Sequence, residues 1–188
     1  MAIGRRVAPA LLLALAGCGL YGGEARRVTP APDMVERGSV AGGRFISLVG
    51  PRRQFAPAFL GVPGTNYDLL RSWIDTQSGE QVTQLYIEAS YSGGERTYEG
   101  ARDGDGQALK FVAISRNEIT CDHGCSYAEE FAADLPQRVL EAHRRGLTVI
   151  FTAKSGPALA IAVPGEVIDK QLAAIAAARS TLPAAARQ

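Results

Sequence analysis

The clearest pattern in the chain lies between Val82 and Tyr91, where Leu85, Ile87, Ala89 and Tyr91 alternate with Gln84, Tyr86, Glu88 and Ser90. A period of two places one set on each face of a half-buried strand. Similar but shorter signals flank it. Phe45–Val49 is a short apolar run, and Tyr67–Ile74 carries Leu69, Leu70, Trp73 and Ile74. Thr97–Ala101 predicts another strand. So does Ala108–Arg116, with Leu109, Phe111 and Ala113 on one face and Val112 and Ile114 on the other. Ser78-Gly79, Ser92-Gly93-Gly94-Glu95 and Asp103-Gly104-Asp105-Gly106 separate these runs as tight turns. Read in order, Tyr67 to Arg116 predicts a four-stranded antiparallel meander.

The second half adds helices. Tyr127–Leu135 reads as a strand with Tyr127, Phe131 and Leu135 on one face. Pro136 fits the first turn of a short helix to Arg145 that presents Val139, Leu140 and His143, and Gly146 suits its end. Leu147–Ala153 and Leu159–Val163 form a hairpin across Lys154-Ser155-Gly156-Pro157. Val167, Ile168, Leu172, Ile175 and Ala176 then stripe an amphipathic helix over about 165–180. The predicted fold class is mainly β or α+β: an antiparallel meander or sandwich-like sheet with a short helix and a C-terminal amphipathic helix packed on it. Pro51 and Pro57 make the stretch after Val49 a loop or edge, in which Phe55, Phe59 and Leu60 either fold over the core or stay exposed as a contact patch.

The N-terminal pattern is of another kind. Arg5 and Arg6 precede an apolar run over 7–16, followed by Leu15-Ala16-Gly17-Cys18. The run is well short of the roughly 20 residues that span a bilayer, and the order of basic, apolar and small residues is that of a secretory signal. The four residues ending at Cys18 resemble the lipobox of bacterial lipoproteins. That resemblance implies a signal peptide over 1–17 and a diacylglyceryl thioether and an acylated (palmitate-class) amino group on Cys18. With Gly19 rather than Asp next, it also implies sorting to the outer membrane, the domain facing the periplasm. Several acyl chains, at about 0.8 kcal/mol per buried CH₂, suffice for stable anchoring. Residues 18–43, broken by Gly22-Gly23, Pro30, Pro32, Gly38 and Gly42-Gly43, read as a lipidated tether, and 44–182 as a single β-rich domain.

Charge narrows the partners. The chain has 20 Lys+Arg against 19 Asp+Glu, and its densest basic pairs, Arg52-Arg53 and Arg144-Arg145, are too short to make a patch. Nucleic acid is not an expected partner. The expected ones are the membrane, through the lipid, and an envelope protein, peptide or glycan.

Cys121 and Cys125 remain once Cys18 is lipidated, and in an oxidising compartment they predict a disulfide. Closing so short a loop contributes about 2 kcal/mol by chain entropy and pins a local turn. His123 between them raises zinc or redox chemistry. Zinc needs a second ligand pair, and only His143 is available as a distant histidine. Redox pairs usually carry two intervening residues rather than three. Asp103-Gly104-Asp105-Gly106 departs from a calcium loop, with glycine at position 4 and Ile114 at position 12, and reads as a hairpin turn. No metal or cofactor is implied.

Glu129 and Glu130 point to opposite faces of a strand, so they cannot share a substrate. Glu129 is expected at the exposed end of its strand rather than, as the alternative, buried beside an arginine. No Gly-x-Ser-x-Gly elbow is present, and no catalytic residue is assigned. Tyr86 and Tyr98, with Phe55 and Phe59, are the candidate binding surface. The alternative is an envelope hydrolase that assembles histidine, carboxylate and Ser in space.

The stretch from Cys121 to about 178 also carries a pattern of its own: Gly124-Cys125, a leucine-bearing segment, Gly146 before a β-branched strand, a hairpin partner and a closing helix. This order is similar to the invasion-associated locus B family, which implies a small, exported, β-rich, non-enzymatic protein.

Cys18→Ala is expected to remove the acyl mass from the mature N-terminus and move the protein from the membrane to the soluble fraction. Mass spectrometry and cell fractionation check this.

Overall fold

The computed structural model describes residues 34–122 and 124–186; Cys18, the signal and His123 lie outside the described residues. The strands are β1 (Glu36–Val40), β2 (Phe45–Val49), β3 (Arg53–Gln54), β4 (Tyr67–Asp75), β5 (Gln81–Ser92), β6 (Tyr98–Asp103), β7 (Ala108–Leu109), β8 (Phe111–Thr120), β9 (Ser126–Asp134), β10 (Gly146–Ala153) and β11 (Leu159–Pro164). Helix α1 (Gln137–Ala142) precedes β10, and α2 (Gly165–Ser180) follows β11. The class is the expected β-rich α+β with antiparallel sheets.

Of the two arrangements expected, the sandwich-like one is formed. The large sheet runs β1-β2-β4-β5-β9-β8, with β3 also paired to β4, and the small one runs β11-β10-β6-β7. The meander expected over 67–116 therefore ends at β5, whose next neighbour is β9. The chain changes sheets three times, the last through α1 between β9 and β10. Residues 93–97 carry it from β5 to β6, and Lys110 divides the strand expected over 108–116 into β7 in the small sheet and β8 in the large one.

The inner faces of the two sheets enclose one core. Phe131 stacks on Tyr98 at 4.4 Å between centroids and meets Phe151 edge-on at 5.0 Å. Leu85, Ile87, Val149, Ile161 and Val163 fill the space around them. Helix α2 closes the side. Val167, Ile168 and Leu172 join this core, while Ile175 and Ala178 pack with Ile46, Leu48 and Ile74 in a second cluster. Ala176, expected in the buried stripe, is exposed, and Gln171 takes an inward place instead. Its amide nitrogen donates to Ser72 Oγ at 2.8 Å, and Ser72 pairs with Thr83 Oγ1 at 2.8 Å, so the helix is keyed to β4 and β5 by polar contacts under the core. The N-terminus of α2 passes hard against the turn before β10. A Cβ at Gly165 would meet the Arg144 carbonyl at 2.1 Å, and only glycine fits there.

The expected tether needs one correction. Its residues 36–40 form β1, which pairs with β2 from Glu36↔Val49 to Val40↔Phe45. Every residue of β1 is exposed. The strand is held by its backbone ladder and by Arg37, which donates to Thr181 Oγ1 at 3.0 Å, and its exposed side chains carry no apolar period from which to read it.

Glu129 also departs from expectation. It is 4% exposed, and among the described residues its carboxylate is bonded by backbone and tyrosine rather than by an arginine. Its carboxylate accepts from Thr97 N at 3.1 Å, Tyr98 N at 3.0 Å and the Tyr91 hydroxyl. Glu129→Ala would strand two backbone N–H groups and a hydroxyl, and is expected to cost roughly 3 kcal/mol or more. Glu129→Gln, which keeps an acceptor, should cost visibly less. Urea midpoints of the two variants check the order.

Candidate functional site

Parity along the strands builds the outer face of the large sheet. On β4 the inward positions are Asp68, Leu70, Ser72 and Ile74, so Tyr67, Leu69, Arg71 and Trp73 face outward. On β5 and β9 the outward sets are Gln84, Tyr86, Glu88 and Ser90, and Ala128, Glu130, Ala132 and Asp134. The face is polar but well covered. Gln84 and Tyr86 are each 8% exposed, because long side chains from neighbouring strands lie over them.

Three cross-strand rows organise it. In the first, Arg71 donates from Nε and Nη2 to Gln84 Oε1 at 3.1 and 2.9 Å. Gln84 Nε2 donates to Asp134 Oδ1 at 2.8 Å, and Lys110 Nζ reaches Asp134 Oδ2 at 3.0 Å. In the second, the Tyr86 ring lies 6.0 Å from that of Tyr67, and Glu130 acts on its hydroxyl from the next strand. In the third, Glu88 accepts from Asn66 N and the Ser90 hydroxyl, while Ser90 N donates to Asn66 Oδ1 at 2.9 Å. Above the rows, Arg71 Cζ lies 4.9 Å from the Trp73 ring centre and 4.5 Å from that of Tyr86, and Arg52 lies 4.5 Å from that of Tyr67. The result is an arginine–aromatic ladder from Trp73 to Arg52, with cation–π contacts of about 0.5–2 kcal/mol each.

Burial dominates the electrostatics. It pushes the Tyr86 hydroxyl well above the ordinary tyrosine value, reinforced by Tyr67 and Glu130. Burial lowers Arg71, against the opposing pull of Tyr86, Glu130 and Tyr67. Asp68, on the inner face, is raised by burial and partly restored by Arg53, which donates to it from Nε at 3.1 Å and to the Ala162 carbonyl at 3.0 Å. That pair ties β4 to the edge of the small sheet.

The structure separates the residues expected to form one binding surface. Tyr86 belongs to the outer ladder, but Tyr98 is 4% exposed in the core against Phe131. The two tyrosines lie on opposite sides of the large sheet because the chain leaves that sheet between them. Phe55 and Phe59 are half-buried, and Phe55 packs against the core. Only Leu60 of that apolar group projects, at 77% exposure. Arg71 and Asp134 were not singled out from sequence, and Glu130 was considered there only as a possible acid–base partner of Glu129. The signal available for Arg71 was its position two residues from Trp73 on the same strand face.

A cleft of about 340 Å³ lies between β6 and β8, lined by Tyr98, Phe111, Arg116, Glu129, Glu130 and Phe131 among others. Arg116 is engaged there with Glu95 at 2.9 Å and with Thr97 Oγ1 at 2.9 Å. Cys121 and Cys125 are paired at the tip of the β8–β9 hairpin. Asp103 spends its carboxylate on its own turn, accepting from Asp105 N at 3.1 Å and Gln107 N at 2.8 Å. His143 Nδ1 bonds the Val139 carbonyl at 2.8 Å, and Ser155 donates to the Glu95 carbonyl. These two residues flank opposite ends of β10, whose eight residues extend roughly 25 Å, so they do not meet.

No family model, curated protein or solved structure matches the chain. The chemistry of the outer face must be read from its own residues. It offers stacking surface, paired donors and acceptors, and nearly balanced charge, which suit a polar ligand laid across a sheet.

Because the folded-state value of Tyr86 is raised, its stabilising contribution is complete below the unfolded tyrosine value of about 10 and lost as pH climbs through the raised value. Tyr91, raised by burial and by Glu129, acts in the same direction. Stability is therefore expected to fall above about pH 10, and Tyr86→Phe should flatten that slope while costing about 1 kcal/mol at pH 8. Urea midpoints at pH 8 and 11 check it.

Proposed function

We propose that this chain is an outer-membrane lipoprotein whose periplasmic β-rich domain is a non-catalytic module that binds or supports another envelope component. The location rests on Leu15-Ala16-Gly17-Cys18 and the basic and apolar segments before it. The binding role rests on one observation: the Trp73–Arg71–Tyr86–Tyr67–Arg52 ladder over satisfied cross-strand rows. Rings half-covered by guanidinium groups present apolar faces edged with donors, a surface for glycans or extended peptides rather than for a bond-breaking step. The resemblance of the C-terminal half to the invasion-associated locus B family points the same way. The hydrolase reading draws less support, since His143 and Ser155 are committed at opposite ends of β10.

A photo-crosslinking residue placed at Trp73 in whole cells is expected to capture a specific envelope component, and Arg71→Ala to reduce that capture severalfold. The same residue at Glu99, exposed on the small sheet, is the control. Equal capture at both positions would sink the proposal. The mass of the adduct separates a glycan from a peptide or protein.

A further inference from the structure

The loop between β3 and β4 carries Leu60, the most exposed large hydrophobic side chain among the described residues, and it is built rather than loose. Residues 55–67 contain no charged side chain. Leu60 is 77% and Val62 52% exposed. Leu60 has φ 50 and Gly61 φ 74, so a bulky residue occupies the left-handed region at the tip, at a cost of about 1–2 kcal/mol. Leu60 is exposed at this tip, while its neighbour Phe59 is half-buried.

The backbone of the tip is bonded within the loop. Gly61 N donates to the Ala58 carbonyl at 3.1 Å and Val62 N to the Phe59 carbonyl at 2.9 Å. Thr65 Oγ1 accepts from Phe59 N at 2.7 Å and donates to the Val62 carbonyl at 2.8 Å. Asn66 Nδ2 fastens the base to the Pro57 carbonyl at 2.9 Å. Internal satisfaction of this kind is what a backbone needs in order to leave water.

The place where the chain enters the domain supplies the second observation. Met34, 73% exposed, lines one cleft with Glu36, Gly50, Pro51 and Arg52. A Cβ at Gly64 would lie 3.7 Å from Arg52 Nη1, so the entry point sits beside the base of the loop. Read as a tether, the roughly sixteen residues from Cys18 to Met34 have a root-mean-square reach of about 20 Å. A lipid at Cys18 would hold this end of the domain towards the leaflet.

We infer that the loop 57–64 seats Leu60 and Val62 in the headgroup–acyl boundary of the phospholipid leaflet that carries the Cys18 lipid. Arg52 and Tyr67 lie at headgroup level, as basic and aromatic side chains do at such boundaries. The ladder then stands up from the membrane with its Arg52 end lowest and Trp73 held towards the periplasm. The inference rests on the lipoprotein reading and deepens it, because the anchor alone would leave the domain free to tumble.

The test uses the full-length protein, purified from membranes and reconstituted in phosphatidylethanolamine–phosphatidylglycerol vesicles. An environment-sensitive fluorophore is attached at Leu60→Cys, at Val62→Cys as a second probe, and at Gln77→Cys in the turn at the far end of β4. Doxyl-labelled lipid is expected to quench the two loop probes severalfold more than the probe at 77, and their emission should be blue-shifted. Water-like, unquenched emission at both loop positions of a protein that floats with the vesicles and carries the lipid mass overturns the inference and leaves the lipoprotein reading standing. A blue shift without lipid quenching overturns it in favour of a protein contact. Absence of lipid on Cys18 together with failure to float overturns both.

Discussion

The fold depends on where Glu129 puts its carboxylate. It projects from β9 into the seam between the sheets and accepts from the backbone of Thr97 and Tyr98 and from the Tyr91 hydroxyl. Those donors lie where the chain has just left the large sheet and must begin the small one. Thr97 has φ 53, a conformation few residues adopt unaided. A buried carboxylate is tolerable only when its hydrogen bonds are made, so one side chain fixes the crossover and the crossover satisfies that side chain. Tyr98 is thereby placed against Phe131 and the two inner faces come into register. The hairpin joining β10 and β11 buttresses the same corner, with Lys154 N and Ser155 N donating to Thr97 and Arg96 carbonyls.

With one face of the large sheet committed to the core, the other solves a different problem. Its strands β4, β5 and β9 are central, so their outward side chains are crowded by neighbours, and several polar ones are removed from water. They find partners on the next strand: Arg71 on Gln84 and Gln84 on Asp134. These rows cost little to maintain because both partners are preset by the sheet. A face that is already ordered loses little entropy when a ligand is laid on it, which is why the ladder suits recognition better than an equal number of loose surface side chains would.

The same economy of position links the two ends of β4. At its start stand Tyr67, Arg52 and the apolar loop; two positions from its end stands Trp73, paired with Val82. The chain also enters the domain at the first of these ends. One strand thus separates the part of the domain nearest its entry from the part of the face farthest from it.

Most element boundaries were readable from sequence, because period and punctuation are local. The strand over 82–91, the hairpin around Gly156 and the helix over 165–180 all follow from spacing within a dozen residues. The same is true of which side chains of β5 share a face. Sequence failed where the deciding contact was distant. β1 carries no apolar period because all of its side chains are exposed and its pairing is made by the backbone. The meander broke after β5 because β9, some forty residues on, is the neighbour that buries Phe131. Arg71 looked like an ordinary charged strand residue until Trp73, Tyr86 and Gln84 were set around it. The residues alone determined the strand-rich character and the two-faced pattern of the strands. Tertiary structure decided which strands are neighbours and which polar groups meet, since pairing energy belongs to two segments at once and no single segment records its partner.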